Sequence, residues 1–155
     1  MNNPEFIRSR WFEDIPVGEF HVFGSHSFTE KEIIEFGKKY SPEAFHTSPE
    51  AAFDTEYRGL VAAELHLAAI WMKLMVAYME RFATGVQDGR RNGAGVSVRD
   101  MQWFKPVRPG HTITFTYEIC EKLDRRVRDK WGIIRSRNEG FNQNNERVFS
   151  FEIDI

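Results

Sequence analysis

The sequence predicts an α+β fold in which an antiparallel β-sheet wraps around one long central helix. Three observations carry this expectation. The stretch VAAELHLAAIWMKLMVAYME is apolar nearly all the way round, interrupted only by Glu64, His66, Lys73 and Glu80. Four β-rich runs follow it in series, at 96–104, 112–122, 130–138 and 146–155. Between the helix and these runs the hydrophobic period changes from 3.6 to 2. A helix apolar on every side is expected to be buried. About twenty residues at ~1.5 Å each span roughly 30 Å, the width of a small domain. Helices grouped ahead of strands in series favour a segregated α+β arrangement, and a curved sheet is the economical cover for such a helix.

Each element has its own local signal. Residues 1–18 read as irregular, closing on Pro16 and Gly18. EFHVFGSHSF, at 19–28, is rich in β-formers and predicts the first strand. His21 and His26 lie five positions apart in it, which on a regular strand places them on opposite faces and argues against a shared metal. Thr29 followed by Glu32 forms a capping box that starts a helix. Ile33, Phe36, Gly37 and Tyr40 line one face of that helix, and Pro42 ends it. His46 then falls in a polar, proline-bearing loop. Ser48-Pro49 is a second helix start, N-cap then first residue, for a short helix through Ala51 and Phe53. Arg58-Gly59 turns the chain into the central helix, expected over 62–83 and ending near Gly85. GVQDGRRNGAG, at 85–95, carries four glycines and reads as a surface loop. In the strands, Ile113, Phe115, Tyr117 and Ile119 alternate onto one face, as do Phe149, Phe151, Ile153 and Ile155. Pro106, Pro109 and Gly110 mark one connection and GFNQNN another.

A chain of 155 residues predicts one domain, spanning 1–155, with a full hydrophobic core. The formal net charge of −2 gives no basic surface for nucleic acid. Arg125, Arg126, Arg128 and Lys130 form a short basic run broken by Asp124 and Asp129. It reads as an exposed turn that could meet the phosphates of a nucleotide-bearing ligand. The lone Cys120 excludes an internal disulfide and a cysteine-rich metal site. No other cluster has metal-ligand spacing, so no metal is expected. The N-terminal segment lacks the apolar run of a signal peptide. Glu64, His66 and Lys73 make a membrane span by the central helix expensive, so a cytoplasmic protein is expected. The sheet leaves two open edges, and pairing one across a two-fold axis predicts a homodimer or higher homo-oligomer.

Three segments resemble a known family. YSPEAFHTSPEAA, YRGLVAAELHLAAIWMKLM and WFKPVRPGHTITF look like the MaoC-like hydratases and dehydratases of the hot-dog fold. That family's pattern reads Y-D-P-Q-P-F-H, then G-G-L-I-A-S-G-W-H-T-A-A, then F-x-x-P-V-R-P-G-D-T. The resemblance covers nearly the whole chain, in order and spacing. It implies an acyl-thioester substrate, on coenzyme A or an acyl carrier, with water added to the 2-enoyl form or removed from the 3-hydroxy form. No cofactor beyond the thioester itself is implied. In the family an aspartate and a histidine hold and activate the water, and a backbone N–H at the start of the long helix polarises the thioester carbonyl.

Carried over residue by residue, His46 takes the histidine position. Ser41 stands where the family has the aspartate, and Glu64 where it has a glycine. His66 matches a later histidine that is not usually catalytic. Phe45, Pro106, Pro109 and Gly110 match structural positions. The resemblance implies catalysis by His46, Ser41 and Glu64, with Glu43, Phe45, Ala63 and Leu65 against the substrate. Serine is no carboxylate base, and a side chain at position 64 can crowd the approach of a thioester. Three functions therefore stand side by side. The first is a hydratase or dehydratase with an altered site, in which Ser41, Glu43 or Glu64 replaces the aspartate. The second is a hot-dog thioesterase using Glu64. The third is a thioester-binding protein without chemistry. The other reading of His46 is a loop histidine bonded to backbone, and His66 reads as a satisfied core residue.

Overall fold

The computed structural model describes residues 10–82, 94–127 and 131–155, with residues 82 and 124–127 through their backbone only. The basic run and most of the glycine-rich segment lie outside the described side chains. A 3-10 turn at Phe12–Asp14 leads into β1 (Phe20–Ser27). Then come α1 (Glu30–Tyr40), α2 (Ala44–Thr47), α3 (Pro49–Phe53) and α4 (Glu64–Phe82). The chain closes with β2 (Ser97–Trp103), β3 (Thr112–Val127), β4 (Trp131–Phe141) and β5 (Arg147–Asp154). The strands form one antiparallel five-stranded sheet in the order β1-β3-β4-β5-β2, with β1 and β2 at its edges.

The start signals act as expected. Thr29 caps α1, its hydroxyl accepting from Glu32 N at 3.3 Å, and Ser48 caps α3, accepting from Ala51 N at 3.2 Å with Pro49 behind it. The inner face of the sheet is built from the alternating residues: Ile113, Phe115, Tyr117 and Ile119 of β3 are buried, as are Phe149, Phe151 and Ile153 of β5. Against them lies one stripe of α4, Leu67, Trp71 and Met75, each 2–3% exposed. The spacings of four are one helix face. Trp71 meets Phe151 edge-on at 4.7 Å between centroids and Phe23 at 6.2 Å. Each such buried apolar side chain stabilises the fold by about 1.5–3 kcal/mol.

Two expectations are corrected. α4 is not buried all round: Leu65, Met72 and Val76 are 63%, 49% and 38% exposed. A single curved sheet covers one side of a helix, so among the described residues the stripe on the other side has no cover. His21 and His26 also do not face opposite ways. The β1–β3 register shifts between Val22 and Gly24, pairing His21 with Tyr117 and His26 with Ile113. Tyr117 and Ile113 belong to the same inward face. The extra residue of the bulge turns five positions into an even step. The two imidazoles still have separate partners: His21 bonds Glu19 and Tyr78, and His26 bonds Glu32.

Candidate active site

His46 lies in a one-turn helix, α2, and not in a loop as expected. Pro42 stops α1 and Glu43 is extended (φ −87°, ψ 151°). The Glu43 carbonyl then accepts from His46 N at 3.0 Å and from Thr47 Oγ1 at 2.9 Å. Four residues are too few to leave a hydrophobic period in the sequence. α2 touches α1 at Gly37, where a Cβ would stand 2.4 Å from the His46 carbonyl oxygen and 2.9 Å from its Cβ. Only glycine allows that approach.

The segment before α4 ties this turn to the rest of the fold. Val61 N donates to Phe45 O at 2.9 Å, and Ala62 N donates to Val107 O at 2.7 Å. Val107 belongs to the proline-rich PVRPG turn, and Arg108 in the same turn donates to Tyr57 O at 2.6 Å. That turn therefore sets where α4 begins, and with it where Glu64 sits.

His46 is 2% exposed, and its Nδ1 lies 2.8 Å from Val61 O. A carbonyl only accepts, so Nδ1 donates to it, and in the neutral imidazole Nε2 presents its lone pair. Glu64 Oε2 lies 3.9 Å from that Nε2, on a side chain 51% exposed. The gap is too long for a hydrogen bond. Two acceptors thus converge on one place, where a water can donate one O–H to each and turn its lone pairs outward.

The first turn of α4 adds donors. Helix N-termini leave their amides without intrahelical acceptors and carry positive potential. Ala62 N and His66 N are engaged, the latter with Ala63 O at 2.9 Å. Among the described residues no acceptor is seen for the N–H of Glu64 or Leu65. An anionic oxygen beside this turn would find two donors.

The other expected site residues are placed less centrally. Ser41 is the C-cap of α1: its N–H donates to Gly37 O at 2.9 Å and its carbonyl accepts from Glu43 N at 2.8 Å. Among the described residues its side chain makes no hydrogen bond to His46. Glu43 is exposed. Phe45 is half-buried, edge-on to the His46 ring at 4.5 Å and 5.0 Å from Tyr57. Ala63 is buried and Leu65 exposed. His66 is buried but not satisfied: its Nδ1 has no hydrogen-bond partner among the described residues. Its ring stacks on Phe36 at 4.4 Å and meets Phe28 edge-on at 5.1 Å. Burial pushes its pKa down to about 4, against the opposing charge of Glu32. Among the described residues no group of side chains could hold a metal ion.

Gly37 and the Val61 carbonyl were missed by sequence reasoning. Gly37 did carry a signal, a glycine inside an otherwise helical pattern, which marks a close approach when it is not a cap. A main-chain carbonyl carries none.

Residues 24–151 match the model of the FAS1-like dehydratase domain region. The chain belongs to the MaoC-like dehydratase family of the hot-dog fold. Among solved structures it is similar to the MaoC-like dehydratase from Rhodospirillum rubrum, with 25% identity over 92% of this chain and 94% of that one and a TM-score of 0.76. It is similar in fold to the 3R-hydroxyacyl-ACP dehydratase complex HadBC from Mycobacterium tuberculosis, at 20% identity, 89% and 94% coverage and TM-score 0.69. It also resembles in fold the R-hydratase PhaJ1 from Pseudomonas aeruginosa, at 18% identity, 92% and 82% coverage and TM-score 0.63. No curated protein matches the chain. Among the described residues no helix is long and apolar enough to cross a membrane.

Proposed function

We propose that this chain hydrates 2-enoyl thioesters, or dehydrates 3-hydroxyacyl thioesters, with Glu64 supplying the carboxylate that Ser41 lacks. The observation that carries the reading is the pair His46 Nε2 and Glu64 Oε2, 3.9 Å apart at the first turn of α4, where no acceptor is seen among the described residues for the N–H of Glu64 or Leu65. The thioester carbonyl accepts from the first-turn N–H groups of α4. The water donates to His46 Nε2 and to Glu64. Its oxygen bonds to C3 of the enoyl group, the C2=C3 electron pair moves to the carbonyl oxygen, and its proton passes to Nε2. The imidazolium then protonates C2, and the enolate collapses to the saturated 3-hydroxy thioester. Glu64 stabilises the imidazolium while it exists, offsetting the repulsion its charge exerts on the enolate oxygen. Dehydration is the same path reversed.

The substrate is proposed to be a thioester of coenzyme A or of an acyl carrier, without a further cofactor or metal. The protein is proposed to act in the cytoplasm as a homodimer. The exposed α4 stripe and the open edge of β2, with Val98 51% and Trp103 39% exposed, support that assembly. Steady-state hydration of crotonyl-CoA tests the site. His46→Ala and Glu64→Gln should each lower kcat by about 10²-fold or more, and Ser41→Ala should leave it within about threefold. Release of free thiol, lost in Glu64→Gln, would favour a thioesterase instead. Binding of crotonyl-CoA without turnover would favour a scaffold without chemistry.

A further inference from the structure

Trp103 closes β2, pairs in register with Phe149 of β5 and stacks on that ring, centroids 5.9 Å apart at 29°. Its indole Nε1–H donates to the main-chain carbonyl of Glu64 at 3.0 Å. This bond joins the edge strand to the first residue of α4. A carbonyl in the first turn already serves the amide four residues on, so the helix itself does not require the indole.

The Glu64 carbonyl and the Leu65 N–H belong to one peptide unit. That unit is planar and trans, so its C=O and N–H point in opposite directions. Holding the carbonyl toward Trp103 therefore holds the N–H away from it. A bond accepted by the carbonyl also polarises the peptide and strengthens its N–H as a donor. Leu65 N–H is one of the two first-turn amides for which no acceptor is seen among the described residues.

We propose that Trp103 is a positioning residue, which orients and polarises the Glu64–Leu65 peptide so that the Leu65 N–H is the donor to the thioester oxygen. The inference rests on the hydratase reading for its chemistry, but the peptide's polarisation can be read without turnover.

Trp103→Phe keeps an aromatic ring on Phe149 and removes the donor. With crotonyl-CoA, kcat should fall about tenfold while KM changes by less than about threefold and thermal unfolding is unmoved. An unchanged kcat in the folded variant overturns the proposal and leaves the hydratase reading standing. If the unmodified protein shows no hydration, that reading fails, and the resonances still decide this one. The carbonyl-carbon resonance of Glu64, read by NMR through the Leu65 amide, should move upfield in Trp103→Phe by more than those of Ala63 and His66. An equal or absent shift overturns the proposal. Should Trp103→Phe not fold, butyryl-CoA added to the unmodified protein should shift the Trp103 indole proton downfield, as cooperative bonding requires. No shift under saturation overturns it.

Discussion

Glu64 occupies a position with opposing demands. The first turn of a helix favours its negative charge, while the same turn is where a thioester oxygen would gather negative charge. The conflict is eased because its carboxylate points to His46 Nε2 and remains half-exposed to water. If Glu64 has taken over from the missing aspartate, the carboxylate should be movable. Glu64→Gly should lose about 10²-fold in crotonyl-CoA hydration. Ser41→Asp in that background should recover at least about tenfold, and His46→Ala should abolish the gain. A double variant that folds and binds the thioester but regains nothing would show that the carboxylate cannot be moved to position 41. His66 makes a separate prediction. Its folded pKa of about 4 lies below the ordinary 6.5. The neutral ring's contribution is therefore complete above about pH 6.5 and is lost as pH falls toward 4. The gap corresponds to about 3 kcal/mol, less about 1 kcal/mol returned by a cation over the Phe36 face. Unfolding midpoints between pH 7 and 5 should drop in the unmodified protein and stay flatter in His66→Phe. Equal slopes would contradict this assignment. The residue identities at 41, 46 and 64 were legible in the sequence. The approach of Glu64 to His46, with Ser41 left aside, was not, because it depends on the Val61 carbonyl and on a helix start that no side chain announces.

At the scale of elements, the site depends on how closely α1 admits α2. A glycine in a helix ordinarily costs up to about 1 kcal/mol relative to alanine, so Gly37→Ala would stabilise an isolated α1. Here the added Cβ meets backbone of α2 at 2.4 Å, and overpacking of this kind costs about 1–3 kcal/mol. The clash should win. Gly37→Ala is expected to lower stability by about 1–2 kcal/mol and to lower kcat as His46 is pushed from Glu64, checked by denaturant unfolding and crotonyl-CoA turnover on one sample. A stabilised and fully active variant would contradict the close contact. Capping signals at Thr29 and Ser48 and the alternation in β3 and β5 made those elements readable. α2 and the β1 bulge were not, since each is a departure of a few residues that leaves no period. The bulge reversed the expected facing of His21 and His26.

At the scale of the whole molecule, the uniform hydrophobicity of α4 was legible, but what covers its outer side was not. One sheet buries Leu67, Trp71 and Met75, while Leu65, Met72 and Val76 stay exposed, and among the described residues β2 is an edge of the sheet. A second copy covering the stripe and the edge together would bury both liabilities. Sedimentation should give a dimer at micromolar concentration, and Met72→Glu with Val76→Glu should shift it to monomer. A monomeric unmodified protein would contradict this assembly. The proposed reaction adds water to an enoyl thioester. Mass spectrometry of crotonyl-CoA incubated with the unmodified protein tests it most directly. An intact thioester heavier by one water is expected. Free coenzyme A with crotonate, or unchanged crotonyl-CoA under conditions where binding is saturated, would contradict it.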